Sequence, residues 1–374
     1  MPETKPDLFI DEKGVCNACQ SYEQRKEINW EQRKKELIKI LNRYKSKDEN
    51  NYDCIVPVSG GKDSHFQVIK MLELGMNPLC ITGTTCRLSD IGRRNIENLK
   101  SLGVDYIELT SNKIIRKKIN RLALRQIGDI AWPEHVTIFT VPVKLAVQLN
   151  VPLLIWGENS QNEYGGPAQA AENNVLTRRW LEEFGGLLGM RVSDLIGQDE
   201  IEKKHLIPFT YPTDEQLQKV GVTGLFLGYY LPWDGYQNAL IAQSYGFETY
   251  PKNVEGQFTN YENLDNHHMG IHDYFKFLKF GFGRASDLVS MHIRRERLTR
   301  EEGINIVKRL DGKFPWTYLG LPLEIMLKEI DVTLEEFIKI CDRFTNKKLF
   351  ICDSSGNLVK DSEGNLTKIN YDNI

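Results

Sequence analysis

At 374 residues the chain has room for roughly one large domain or two to three small ones, and its 41% hydrophobic residues suffice for a sizeable core. A formal net charge of −3 implies no general attraction to nucleic acid or anionic membrane, and no apolar run approaches the length of a membrane span. Met1-Pro2-Glu3-Thr4-Lys5-Pro6 has no secretory apolar stretch, and seven unevenly spaced cysteines argue for reduced thiols rather than a disulfide framework, so a cytoplasmic location is expected.

The N-terminal segment, residues 1–48, holds Gly14-Val15-Cys16-Asn17-Ala18-Cys19. A Cys-x-x-Cys pair is half a zinc knuckle or a redox pair, and a structural zinc needs a full tetrahedral set. Cys54, Cys80, Cys86, Cys341 and Cys352 form no second pair, so Cys16 and Cys19 are either a metal half-site or two ordinary thiols. Residues 30–46 read as a charged amphipathic helix with Leu37, Ile38, Ile40 and Leu41 on one face, followed by a polar linker at 47–51.

An alternation of strands and helices follows. Cys54-Ile55-Val56-Pro57-Val58 reads as a buried parallel strand, and His65 to Leu72 has helical spacing. Between them lies Ser59-Gly60-Gly61-Lys62-Asp63-Ser64. Two glycines let the backbone turn tightly, and the free amides of the helix start favour an anion. This is a phosphate cradle without Walker spacing. Further strands are expected at 78–83, 106–109 and 151–156, with helices near 95–102, 114–125 and 135–150. Strand and helix alternating in this way give an α/β fold: a parallel sheet of about five strands with helices on both faces. Its ligands belong beyond the carboxyl ends of the strands.

Strand 151–156 runs into Gly157-Glu158-Asn159-Ser160-Gln161-Asn162-Glu163-Tyr164-Gly165-Gly166. Glu158 and Asn159 are suited to holding a magnesium ion or orienting a nucleophile. Residues 167–222 read as an insertion with helices near 176–185 and 213–219. Leu225–Tyr230 reads as the fifth strand, emptying into Trp233 and Asp234. The sheet domain is thus expected over 49–240, a helical region over 241–348 and a peripheral tail with small turns over 349–374. His267, His268 and His272 are read as surface or substrate-side residues: Gly270 weakens a helix there, and no acid stands at metal-ligand spacing. Arg284 lies in a Gly/Ala/Ser-rich turn that permits close approach to an anion, with Asp287 placed to brace it, or simply to pair with it.

Ser-Gly-Gly-x-Asp-Ser after a strand resembles the pyrophosphate loop of the ATP pyrophosphatases, whose fold is adenine nucleotide alpha hydrolase-like. Together with Cys16–Cys19, Trp156-Gly157-Glu158-Asn159, Glu163-Tyr164-Gly165-Gly166, Phe226-Leu227-Gly228-Tyr229-Tyr230, Trp233-Asp234 and Phe282-Gly283-Arg284-Ala285-Ser286-Asp287, the chain resembles the N-acetyl sugar amidotransferases of bacterial surface-glycan pathways. Within that family the nearest likeness is to the group forming acetamidino pseudaminic acid for flagellin glycosylation; a sister group acts on a UDP-linked uronic acid of O-antigen. The resemblance implies ATP and Mg2+ as cofactors. It implies Ser59, Gly60, Gly61, Lys62, Asp63, Ser64 and Gly83 at ATP, and Lys62, Asp63, Glu158 and Asn159 in catalysis. It implies Glu163, Tyr164, Trp233, Asp234, Arg284 and Asp287 at an amino sugar substrate. Members of the family carry a second Cys-x-x-Cys ahead of the segment beginning here at Met1; without it, zinc at Cys16 and Cys19 lacks half its ligands, and a longer native N-terminus is expected.

The implied reaction turns an acetamido into an acetamidino group. The amide oxygen attacks the α-phosphorus of ATP, pyrophosphate leaves, and ammonia displaces AMP from the O-adenylyl imidate. None of the seven cysteines has glycine on both sides and position 2 is Pro, so no glutaminase nucleophile is visible and ammonia is expected from a separate glutaminase. Two rivals are weighed against this reading. One is tRNA thiolation, with Arg116, Lys117, Lys118, Arg121 and Arg125 as an RNA face. The other is an inactive ATP-binding scaffold.

Overall fold

The computed structural model describes residues 2–48, 50–158, 175–176 and 188–369. Strands β1 (Cys54–Pro57), β2 (Pro78–Gly83), β3 (Asp105–Leu109), β4 (Leu153–Trp156), β5 (Val175–Leu176) and β6 (Thr223–Phe226) form one sheet in the order β3-β2-β1-β4-β6-β5. β1, β2, β3, β4 and β6 run parallel, and β5 is a short antiparallel edge on β6. Successive side chains point to opposite faces. On one face Cys54, Val56, Cys80, Leu153 and Ile155 meet Leu37 and Leu41 of the Trp30–Tyr44 helix and Phe66 and Val68 of the Lys62–Glu73 helix. On the other, Ile55, Leu79, Ile81, Leu154 and Trp156 meet Val141, Val143 and Ala146 of the Trp132–Leu149 helix. Cover on both faces is why these strands read as unbroken apolar runs.

Several expected boundaries move. The helix expected from Asn95 begins at Asp90, because the Ser89 hydroxyl caps it by accepting from Gly92 N at 2.9 Å. The fifth strand stops at Phe226, and Leu227–Tyr230 is a helical turn. Gly228 N donates there to Gly157 O at 3.1 Å, and both glycines lie under Trp233: a Cβ on Gly157 would stand 2.9 Å from the indole. Of the expected 176–185 helix, Leu176 is in β5 and the rest lies outside the described residues. Leu195, Leu206 and Phe209, from the insertion, pack on Ile115, Ile119 and Trp132.

Beyond the sheet, helices Met269–Phe280, Arg284–Arg294, Arg300–Leu310, Leu323–Glu329 and Leu334–Phe344 form the C-terminal region. Its aromatic core, with Phe275, Phe277, Phe337 and Tyr318, also takes Ile91, Leu124 and Ala239 from the sheet half. The last segment is anchored at its start by the fully buried Phe350, while residues 351–369 are exposed or half-buried and Trp316 Nε1 donates to Glu363 O at 2.8 Å. Its internal echo is one turn made twice. Asp353 Oδ1 accepts from Asn357 N at 2.8 Å and Asp361 Oδ1 from Asn365 N at 2.9 Å, each across a glycine of positive φ. No helix among the described residues is long and apolar enough to cross a membrane.

Candidate active site

β1 lies between β2 and β4, so the chain leaves the sheet at a topological switch point just where the Ser59–Ser64 loop begins. Gly60 has φ +87°, and a Cβ there would stand 2.7 Å from Ile96 Cγ1; glycine is required for both reasons. The two serines brace the turn. Ser64 Oγ accepts from Ser59 N at 2.9 Å, and Ser59 Oγ accepts from Gly61 N at 3.3 Å. The loop hands over to the Lys62–Glu73 helix, whose start receives no side-chain cap from Gly61 and whose first amides point along the helix axis out of its N-terminus, the direction that favours an anion.

Lys62 is almost wholly buried and lies between two carboxylates, 2.6 Å from Asp63 and 2.9 Å from Glu262. The other oxygen of Glu262 takes Arg284 at 2.9 Å, and Asn238 Nδ2 donates to Asp63 at 2.8 Å. Burial alone would lower the Lys62 ammonium; Asp63 and Glu262 overcome it and hold the group above its ordinary value. Burial likewise works against the Glu262 carboxylate, and Lys62 and Arg284 overcome it. Nothing in the local sequence marks Glu262 or Asn238, since each joins the network only by facing a loop from far along the chain. Asp265, three residues past Glu262, is lifted by burial to about 6.

The structure distributes the other candidates as follows. Arg284 joins the loop network, but its brace is Glu262, whereas Asp287 pairs with Lys276. Trp233 is buried and packs edge-on against Phe66 at 5.4 Å. Asp234 caps the Gly235–Ser244 helix through Tyr236 N at 3.1 Å and pairs with Arg297 and Arg295. Gly83 ends β2 against Thr137, 3.1 Å from where its Cβ would stand. Glu158 follows Gly157 at the end of β4; Asn159, Glu163 and Tyr164 lie outside the described residues. A cavity of about 520 Å³ opens past β2 and β3, lined by Thr84, Cys86, Arg87, Arg93, Lys113 and His267 among others. A smaller one of about 250 Å³ borders Arg284.

The histidines depart from expectation. His267 and His268 are buried, and a helix does run from Met269 across Gly270, whose bare Cα lets the Tyr318 ring pack against it. Acidic neighbours come from other elements: Glu134 for His268, Asp129 for His272. Burial raises the Cys86 thiol to about 12 and lowers His268 to about 4, so both stand neutral beside Glu134. Cys16 and Cys19 face each other with sulfurs 3.5 Å apart, and the hydrogen bond from Cys19 draws the Cys16 thiol down to about 5. Among the described residues, groups of three or more metal-capable side chains gather elsewhere, at Cys86/Glu134/His268 and Asp129/His135/His272. The basic 113–127 helix faces acids of this same chain: Lys117 and Arg121 pair with Asp331, Lys118 with Glu200 and Arg125 with Glu336.

Residues 255–361 match the family described as "LPS biosynthesis protein WbpG-like, C-terminal domain". That region supplies Glu262, His268, Arg284 and Asp287. The uncharacterized protein MJ1599 of Methanocaldococcus jannaschii is 30% identical over 143 residues, covering 34% of this chain and 50% of the relative. The chain therefore spans about half the length of the curated relative it matches.

Proposed function

We propose that this chain is an ATP-dependent sugar amidotransferase of a bacterial surface-glycan pathway. It would convert an acetamido group to acetamidino on an acidic amino sugar, with pseudaminic acid derivatives for flagellin glycosylation as the preferred product class. The observation that carries this reading is a non-Walker Gly-Gly loop at the switch point whose Lys62 is tied through Glu262 to Arg284. One chain of charge thereby joins the phosphate end of the site to the region similar to an LPS biosynthesis domain.

In this reading the loop amides and Lys62 receive the pyrophosphate as charge builds on it, each such donor being typically worth about 3 kcal/mol. Both oxygens of Asp63 are already engaged by Lys62 and Asn238. Glu158, two residues past the end of β4, is assigned as a hard oxygen donor suited to Mg2+, which would neutralise phosphate charge when bound. The amide oxygen bonds to the α-phosphorus as the bond to pyrophosphate breaks. Ammonia then adds to the imidate carbon, and AMP leaves with the former amide oxygen. Arg284, at the edge of the smaller cavity, is assigned to the sugar carboxylate.

The test is nucleotide chromatography after incubation with ATP, ammonium and candidate acetamido sugars. Sugar-dependent AMP and pyrophosphate are expected, with ammonium supporting turnover and glutamine alone not. ADP as the main product, or glutamine-dependent turnover by the pure chain, would overturn the reading.

A further inference from the structure

Cys86, Glu134 and His268 come from three separate parts of the chain. Cys86 follows β2, Glu134 lies in the first turn of the Trp132–Leu149 helix, and His268 precedes the Met269–Phe280 helix. Backbone pairing fixes their meeting. Residues 87–89 run antiparallel to 265–267, with Ser89 N donating to Asp265 O and His267 N to Arg87 O, both at 3.1 Å. Cys86 N donates to Glu134 Oε1 at 2.9 Å. The sulfur, one carboxylate oxygen and one ring nitrogen then lie within 4.8 Å of one another.

His268 is fully buried, yet neither of its ring nitrogens has a hydrogen-bond partner. A buried neutral imidazole ordinarily finds at least one. The deficit extends around Glu134. Arg116 Nε and Asn120 Oδ1 also have no partner, although both residues reach Glu134 through their other nitrogens, at 3.4 and 3.3 Å. Arg116 is otherwise held by Thr84 O at 3.1 Å and Ser111 Oγ at 3.2 Å, so its link to Glu134 is a long one. Cys86 and the neighbouring His267 line the cavity of about 520 Å³, which provides an entry path.

We propose that Cys86, Glu134 and His268 form a binding site for one zinc-type divalent metal ion, with its fourth position turned toward that cavity. Thiolate, imidazole and carboxylate together are a borderline-soft set that suits zinc, and three protein ligands with one open position are the pattern of zinc sites that receive water or a ligand oxygen. Bonds of about 2.0–2.3 Å to a tetrahedral centre bring ligand atoms closer than 4.8 Å, a gap that side-chain rotation closes. On binding, Cys86 gives up its thiol proton to solvent and the sulfur bonds to the ion. The thiolate and Glu134 cancel the two charges of the metal, and Arg116 stays on Thr84 and Ser111. This site is distinct from Cys16 and Cys19 and stands whether or not the proposed activity holds.

Cobalt(II) titration of the full chain carrying Cys16→Ser and Cys19→Ser tests the assignment. One equivalent should bind with tetrahedral visible absorption and a thiolate charge-transfer band, and zinc should bleach both. Cys86→Ser in that background should remove the charge-transfer band. His268→Gln should weaken cobalt binding at least tenfold, with circular dichroism reporting the fold of each variant. In parallel, zinc should protect Cys86 from maleimide, read by peptide mass spectrometry on the otherwise unaltered chain, which needs no Cys86 or His268 variant to fold. Absence of a thiolate band in the Cys16/Cys19 variant, a band that survives Cys86→Ser, or maleimide labelling of Cys86 unaffected by zinc would each overturn the proposal.

Discussion

Two buried polar clusters flank the carboxyl ends of the strands, and they are built in opposite ways. Around Lys62, two cations and two carboxylates alternate, and the bonds between them run from 2.6 to 2.9 Å. Around His268, one ion pair is stretched to 3.4 Å and several buried polar atoms have no partner. The first cluster matches each charge with an opposite one at short range and so is sensitive to subtraction. The second is short of a partner and so is sensitive to addition. Burial is common to both clusters; what differs is whether opposite charges are matched at short range.

The sharpest way to break the first cluster is Glu262→Gln. It leaves Lys62 and Arg284 facing each other with the shared charge gone, and breaking a buried pair in this way costs about 3–5 kcal/mol. Urea denaturation should show a loss of that size, and a loss under about 1 kcal/mol would mean that solvent reaches the network.

Next comes Asp63→Ala, which frees one side of Lys62 but keeps Glu262. Sugar-dependent pyrophosphate release should fall about 100- to 1000-fold, about 3–4 kcal/mol at the transition state. Near-normal turnover in the folded variant would remove Asp63 from the chemistry.

Asp265 tests the ground between the clusters. An ordinary aspartate titrates near 3.8 and this one near 6, so the folded chain holds the proton longer than the unfolded chain does. Stability is therefore lost as pH rises from about 4 to about 6, by about 2–3 kcal/mol in all. Asp265→Asn should be more stable than the parent by that amount at pH 7.5 and equal to it below about pH 4. Thermal melts across this range check it, and a pH-independent difference would contradict the buried-proton account.

The smallest effect is expected from Arg284→Lys, which keeps charge beside Glu262 but loses the planar fork. KM for the sugar should rise about tenfold, close to 1.4 kcal/mol, while KM for ATP stays nearly constant. A lowered melting temperature with an unchanged sugar KM would make Arg284 a strut of the Glu262 network alone.

The parallel sheet was legible because each buried strand is a short apolar run, and the Ser59–Ser64 loop because its glycines and hydroxyls are consecutive. Glu262, Asn238, Glu134 and Asp129 were not legible. Their roles arise from packing between elements remote in sequence, and an isolated acid carries no period. The helical turn at Leu227–Tyr230 was hidden because its residues continue the apolar run of β6; what ends the strand is Trp233, seated against Gly157 and Gly228. The helix across Gly270 was missed for a related reason. Propensity counts the cost of glycine but does not see the Tyr318 ring that occupies the place of its absent side chain.

Glu262 has a consequence for how such a chain can be divided. A fragment ending before residue 255 would encode the whole parallel sheet and every residue of the Ser59–Ser64 loop, yet it would omit the carboxylate on which Lys62 leans. The loop is thus not a portable cassette. Recombination that exchanges the sheet half or the C-terminal half between related genes must carry both partners of the Lys62–Glu262 pair, or supply another anion from the incoming partner, before the junction can fold dry.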